Sequence, residues 1–180
     1  AYLRDAKPRI FCFTAVSTQY PTVRTFARYV KSVDPNILVA IGGSHTTLMP
    51  EDVIKDDCFD VICVGEGETA MLTLAGRVEA GEPWGEIANL WIREPETGEV
   101  IKTSPQSFNV QLDGLPPINR KMWDSWITFP DRNVPVLVGR GCPFRCTYCS
   151  NHKLQAIAPG KYVRFRSPEN VIAEIESLRA

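Results

Sequence analysis

Three cysteines, Cys142, Cys146 and Cys149, stand in the stretch Gly139-Arg140-Gly141-Cys142-Pro143-Phe144-Arg145-Cys146-Thr147-Tyr148-Cys149-Ser150-Asn151 at the spacing Cys-x3-Cys-x2-Cys. Six cysteines scattered at random over 180 residues would place two more at those offsets in under about 1% of sequences. The thiolate is the metal-binding form of cysteine, and three thiolates from one tight loop can hold three irons of a cubane whose usual complement is four. The fourth iron then keeps an open position, where a substrate can be chelated and given an electron. Two other chemistries draw on the same residues. A structural zinc takes four ligands, and His152 could stand beside the three cysteines. A ferredoxin needs a fourth cysteine, which Cys12, Cys58 or Cys63 would have to supply from a distant part of the chain. Free core thiols are disfavoured here, because the loop is rich in glycine, arginine and polar residues.

A second group of residues is singled out by the elements that must carry it. Ile10 to Val16 reads as a buried strand, ended by Ser17-Thr18-Gln19. Pro21 then suits a first helical turn, and Val23, Phe26, Ala27 and Val30 fall on one helical face. Ile37 to Ile41 is a continuous apolar run, the pattern of a strand covered on both faces, and Gly42-Gly43 ends it. Pro50 to Lys55 suits a short helix. Asp60 to Val64 is a third strand, followed by Gly65-Glu66-Gly67-Glu68 and a helix with Met71, Leu74, Ala75 and Val78 on one face. Gly81 is placed to stop that helix. Strand and helix alternating three times predict an α/β, Rossmann-like parallel sheet with helices on both faces. The ligand crevice of such a sheet lies beyond the carboxyl ends of its strands, where Ser17, Gly42 and Gly65 all fall.

The pattern then changes. Asn89 to Arg93 and Glu99 to Thr103 flank Glu94-Pro95-Glu96-Thr97-Gly98 and read as a β-hairpin. Residues 104–132 hold several prolines and no sustained period, which predicts a surface linker anchored by Met122, Trp123 and Trp126. Val134 to Val138 reads as a new strand leading into the cysteine loop. Ser167 and Pro168 read as the cap and first turn of a helix with Val171, Ile175 and Leu178 on one face. The expected organisation is therefore a Rossmann-like domain over 1–88, a hairpin and linker over 89–132, and the start of a further domain over 133–180.

Composition narrows the function classes. The chain carries 20 basic and 21 acidic residues, a net charge of −1, so nucleic acid is not indicated by charge. No apolar run approaches the roughly 20 residues of a membrane helix. Ile10 to Val16 lacks a small-residue cleavage site, so it is not read as a signal segment. The expected setting is cytoplasmic.

The cysteine loop resembles the motif of radical S-adenosylmethionine (radical SAM) enzymes, and Pro143, Phe144 and Tyr148 strengthen the match. Gly139 stands where relatives often have Ser or Thr. The resemblance implies that Cys142, Cys146 and Cys149 hold a [4Fe-4S] cluster and that Tyr148 lies beside the adenine of S-adenosylmethionine. It also implies that Val134 to Val138 begins a partial (β/α) barrel whose first helix starts at Ser167. An electron donor such as flavodoxin or ferredoxin and a small-molecule or peptide substrate would be the partners.

The preceding region resembles the cobalamin-binding domain of a large radical SAM subclass. The resemblance rests on Ser17-Thr18-Gln19-Tyr20-Pro21, Gly42-Gly43-Ser44-His45-Thr46-Thr47-Leu48-Met49-Pro50 and Val64-Gly65-Glu66-Gly67-Glu68. It implies cobalamin contacts from Ser17, Thr18, Gln19, Gly42, Gly43, His45, Thr47, Gly65, Glu66 and Gly67. Gly42 and Gly43 would let a flat base lie against the backbone, and Ser17, Thr18 and Thr47 offer hydroxyls to amide or phosphate groups. The Gly65 to Gly67 turn opens a helix whose amino end favours an anion. The Asp-x-His-x-x-Gly motif that ligates cobalt in many cobalamin proteins is absent from the residues before Ser17. The barrel stops after one strand and one helix, so the chain is expected to be truncated at both ends and inactive by itself.

Three functions remain in view. The first is part of a cobalamin-dependent radical SAM enzyme, a methyltransferase or a relative of one. The second is a methylthiotransferase-like enzyme with another cluster on Cys12, Cys58 and Cys63, although these read as small core residues. The third is a non-enzymatic, zinc-stabilised Rossmann-like module.

Overall fold

The computed structural model describes residues 2–94, 96–123 and 134–178, without the side chains of Tyr2, Arg4 and Trp123. A short helix α1 (Tyr2–Ala6) precedes β1 (Ile10–Thr14), α2 (Tyr20–Val33) and β2 (Leu38–Gly42). Two short helices, α3 (Ser44–Leu48) and α4 (Pro50–Val53), lead to β3 (Val61–Cys63) and α5 (Glu68–Ala80). β1, β2 and β3 pair in parallel and in chain order, as the strand–helix alternation predicts. The run from Ile37 to Ile41 is apolar throughout because both faces of β2 are covered. Val39, Ile41 and Ile62 pack with Ala27 and Val30 of α2 and with Phe59. Ala40, Val61 and Cys63 point the other way, onto Ala70 and Leu74 of α5.

The helical stripes are narrower than their spacing suggests. Phe26 and Ala75, expected on buried faces, are exposed, while Ala27, Val30, Ala70 and Leu74 are buried. A helix laid on an open sheet touches it along a narrow line, and residues on the flank of that line face water. Gly81 ends α5 in the left-handed conformation at φ +72°.

The hairpin is more than a connector. β4 (Leu90–Arg93) pairs antiparallel with β3, and β5 (Val100–Lys102) pairs antiparallel with β4, making one five-stranded mixed sheet. Leu90 and Ile92 are buried with Cys63 and Leu74. The first unit therefore extends past residue 88, because β3 would otherwise be an unpaired edge.

Two 3₁₀ turns, Leu112–Gly114 and Arg120–Trp123, punctuate the linker. Phe108 and Leu112 are its buried contacts; Met122, an expected anchor, is 60% exposed. The side chain of Trp123 and all of Trp126 lie outside the described residues.

Residues 134–138 are not a strand. Val134, Leu137 and Val138 are exposed, and the ladder that forms is the antiparallel pair β6 (Gly139–Arg140) and β7 (Arg164–Phe165). A strand needs a neighbour for its amides and carbonyls, and among the described residues another stretch of backbone meets this segment only at its end, where Arg166 N donates to Val138 O at 3.0 Å. A short helix α6 (Asn151–Gln155) follows the cysteines. In α7 (Pro168–Ser177), Ser167 caps the amino end by accepting from Asn170 N at 3.1 Å. The expected apolar face of α7 is not the buried one: Ile175 and Leu178 are exposed, and Glu174 is buried against Arg120 and Arg166. Among the described residues, no helix is long and apolar enough to cross a membrane.

Candidate functional site

Three loops leave the carboxyl ends of β1, β2 and β3 side by side and bond to one another. Ala15 N donates to Gly42 O at 3.1 Å, and His45 N donates to Ala15 O at 3.1 Å. Gly65 N donates to Thr47 Oγ1, also at 3.1 Å, tying the second loop to the third. Gly43 sits at φ +95° and ψ −179°, a region essentially reserved for glycine. A Cβ there would stand 2.6 Å from Thr14 Oγ1 and 2.7 Å from Ala15 O. The backbone therefore passes its neighbour with no room for a side chain, as the paired glycines suggest.

Of the residues expected at this edge, Ser17, Gly42, Gly43, His45, Thr47, Gly65 and Gly67 are brought together. His45 Nδ1 lies 3.1 Å from Ser17 Oγ, and its ring packs on Tyr20 with centroids 4.2 Å apart. Thr47 is buried and already accepts from Gly65, so its hydroxyl hydrogen is what it can offer. Thr18 and Gln19 are exposed at the start of α2, where Gln19 makes no side-chain cap. A groove of about 120 Å³ runs along the edge, lined by Cys12, Ala40, Gly42, Gly43, Cys63 and Gly67.

Glu66 has a different place from its neighbours. Its carboxylate faces Arg164 through both oxygens, at 2.9 Å each, and meets Arg140 Nη1 at 3.0 Å. It also accepts Asn109 N at 2.8 Å. Arg140 reaches on to Glu68 at 2.5 Å. Burial alone would raise the Glu66 pKa, but the hydrogen bonds from Arg164, Asn109 N and Arg140 outweigh it and hold the carboxyl below its ordinary value. Glu66 is thus committed to β6 and β7, the strands that flank the cysteine loop. It was expected to face a cofactor; its carboxylate is engaged by the two guanidiniums, and the residue also lines the cavity beside Ser44, Thr47 and Gly65. Above the clamp lies a cavity of about 280 Å³, lined by Ser44, Thr47, Gly65, Gly141, Tyr162 and Arg164.

Asn89 is a further residue that sequence reading passes over. It is buried at φ +69°, donates to Glu66 O at 2.6 Å and accepts from Gln106 N at 2.5 Å. Asparagine tolerates that backbone region, and its amide satisfies two otherwise unpaired groups of the turn. An Asn at the start of a predicted hairpin was the available signal.

Cys142, Cys146 and Cys149 lie on the loop between β6 and α6, with Cys146 exposed. Cys149 N donates to Cys146 O at 3.0 Å, a single turn that brings two of the three close along the chain. Gly141 takes φ +84°, and a Cβ there would run into the backbone of Tyr162. Asn151 Nδ2 points at Cys149 Sγ from 3.2 Å. Among the described residues, no three His, Cys, Asp or Glu groups gather tightly enough to hold a single metal ion. A cubane asks for another geometry, since each thiolate binds its own iron at a separate corner. Three thiols on one open loop, with an N–H already aimed at one sulfur, fit that donor set. Tyr148 is 91% exposed.

The remaining cysteines do not form a second set. Cys58 and Cys63 are buried in cores on opposite faces of the sheet, and burial pushes both thiols up to about 11. They are core residues, as expected. Cys12 is not: it is exposed, because β1 is the edge strand of the sheet.

Comparison with known proteins follows the same division. A family model described as B12 binding domain matches residues 1–75. The anaerobic magnesium-protoporphyrin IX monomethyl ester cyclase of Rubrivivax gelatinosus is 31% identical over 180 residues, covering 96% of this chain and 31% of that protein. An uncharacterized methyltransferase of Pyrococcus horikoshii is 29% identical over 187 residues, covering 98% of this chain and 38% of that protein. The chain therefore spans about a third of the length of the curated relatives it matches. The solved structure of the cobalamin-dependent S-adenosylmethionine radical enzyme OxsB, with aqua-cobalamin and S-adenosylmethionine bound, shares the fold. Its TM-score is 0.68 at 20% identity, covering 98% of this chain and 24% of that one. The family model thus lies on the sheet, and the similarity to both relatives runs on through the cysteine loop.

Proposed function

We propose that this chain supplies the corrinoid-binding edge and the cluster loop of a cobalamin-dependent radical SAM enzyme. Its reaction is methyl transfer or related radical chemistry on a small-molecule or peptide substrate. The observation that carries the reading is the joining of the two sites: the glycine-lined edge of a B12-family sheet is clamped through Glu66 to the strands flanking Cys-x3-Cys-x2-Cys. When bound, the cluster supplies reductive cleavage of S-adenosylmethionine, and an electron donor such as flavodoxin or ferredoxin feeds it.

The chain's own residues have definite tasks in this reading. Cys142, Cys146 and Cys149 would hold the cluster as thiolates, with S-adenosylmethionine taken up at the iron they would leave unligated. Tyr148, exposed beside the loop, would lie against the adenine. Gly42, Gly43, Gly65 and Gly67 let the corrinoid's nucleotide tail approach the backbone along the edge groove. Ser17, Thr18, Gln19, His45 and Thr47 offer hydrogen bonds to its amides and phosphate. Glu66 holds the two sites in register and lines the cavity between them.

The test is the iron, sulfide, zinc and corrinoid content of the full chain after anaerobic purification and reconstitution with cobalamin present. Iron and sulfide that vanish in Cys146→Ala, together with bound corrinoid, support the reading. Zinc without sulfide overturns the cluster, and iron without corrinoid overturns the cobalamin assignment.

A further inference from the structure

We infer that Asn151 is a positioning residue that sets the reduction potential of the cluster, by donating an oriented N–H to the Cys149 sulfur. This rests on the reading above, in which Cys149 ligates iron.

Asn151 Nδ2 lies 3.2 Å from Cys149 Sγ, and Tyr162 Oη donates to Asn151 Oδ1 at 2.8 Å. A ligating thiolate can only accept, whereas a phenol can donate or accept. Only the orientation with Nδ2 toward sulfur and Oδ1 toward the phenol satisfies all three groups. The amide is thus held from both ends.

The orientation is enforced from the sheet. The Tyr162 ring meets Phe108 edge-on with centroids 5.2 Å apart at 60°. Phe108 is buried, and the Arg164 guanidinium lies over it at 5.1 Å. Arg164 is the cation that Glu66 holds with both oxygens. A continuous series of contacts therefore leads from the Gly65 to Gly67 turn to the sulfur of one proposed iron ligand. Asn151 itself is the first residue of α6, so its backbone is set by the helix.

The consequence is electrostatic. Reduction adds an electron to the cluster, and some of that charge resides on the sulfur ligands. An N–H dipole pointing at a ligand sulfur stabilises the reduced state more than the oxidised one and raises the potential. Removing the donor lowers the potential without removing a ligand.

The experiment compares Asn151→Leu and Tyr162→Phe with the unsubstituted full chain after reconstitution, by potentiometric titration of the cluster and by iron analysis. The expected result is full iron content in both variants, with the midpoint shifted to more negative potential in Asn151→Leu. A smaller shift in the same direction is expected in Tyr162→Phe. Unchanged midpoints at full iron content would overturn the inference. If Asn151→Leu loses iron, Tyr162→Phe decides, since it leaves every loop residue in place. An unsubstituted chain that takes up no iron fails in a different way: it removes the cluster reading itself.

Discussion

The sheet edge around Gly43 and Gly65 and the loop around Cys146 meet at Glu66, yet different physics holds each in place. The edge is built on three parallel strands, of which β2 and β3 are covered on both faces, and each loop there is hydrogen-bonded to the next. The cysteine loop rests on a two-residue ladder, with Val138, Phe144 and Tyr148 exposed around it. Burial of apolar strands stabilises the first without a ligand. The second has little core beneath it, so its order comes from the Glu66 clamp and from whatever the thiols bind. One site is preformed and the other is assembled.

That contrast can be broken most sharply at the thiols. Cys146→Ala is expected to abolish iron uptake while leaving corrinoid uptake intact, checked by metal analysis and by the corrinoid's visible absorption. Loss of both would show that the edge depends on the loop.

The next largest effect is at the clamp. Arg164 is 4% exposed, and Glu66→Gln leaves its buried guanidinium without an anion. Removing one partner of a buried pair costs about 3 kcal/mol, to be read from urea unfolding. Glu66 has its pKa lowered in the fold, so its contribution is fully present above the unfolded carboxyl value and is lost as pH falls through the folded one. The stability gap between the native chain and Glu66→Gln should therefore close in acid, below the ordinary carboxylate range.

Gly43→Ala tests whether the edge is as rigid as its hydrogen bonds imply. The substitution forces a Cβ against Thr14 and Ala15 at a glycine-only conformation, a loss of about 2 kcal/mol with weakened corrinoid binding in titrations. The smallest expected change is Thr47→Val, which removes the acceptor for Gly65 N and costs about 1 kcal/mol in the same unfolding assay.

Legibility in the sequence followed the range of the interactions. Strands β1 to β3 and helices α2 and α5 were readable because their apolar periods are local consequences of being covered on one or both faces. The cap at Ser167 and the stop at Gly81 were readable for the same reason. The role of β4 was not, because joining β3 antiparallel is a choice between distant segments. Val134 to Val138 misled because apolar, β-branched residues favour strands only where a neighbour exists to pair with. The helix α7 misled in the opposite way: Glu174 is buried because Arg120 and Arg166 come to it from 54 and 8 residues away.

By itself, the sequence determined the cysteine spacing and the glycines at the strand ends, since ligand number and backbone freedom are properties of residue type. Only the tertiary structure decided which residues join those two sites. Glu66 stands in a turn that reads as cofactor-binding, and nothing nearby in the chain announces Arg140 or Arg164, 74 and 98 residues further on. Charges that distant find each other only once the sheet has fixed the turn and the β6–β7 ladder has fixed the guanidiniums. An ion pair of that kind has a geometry in space and no period in sequence.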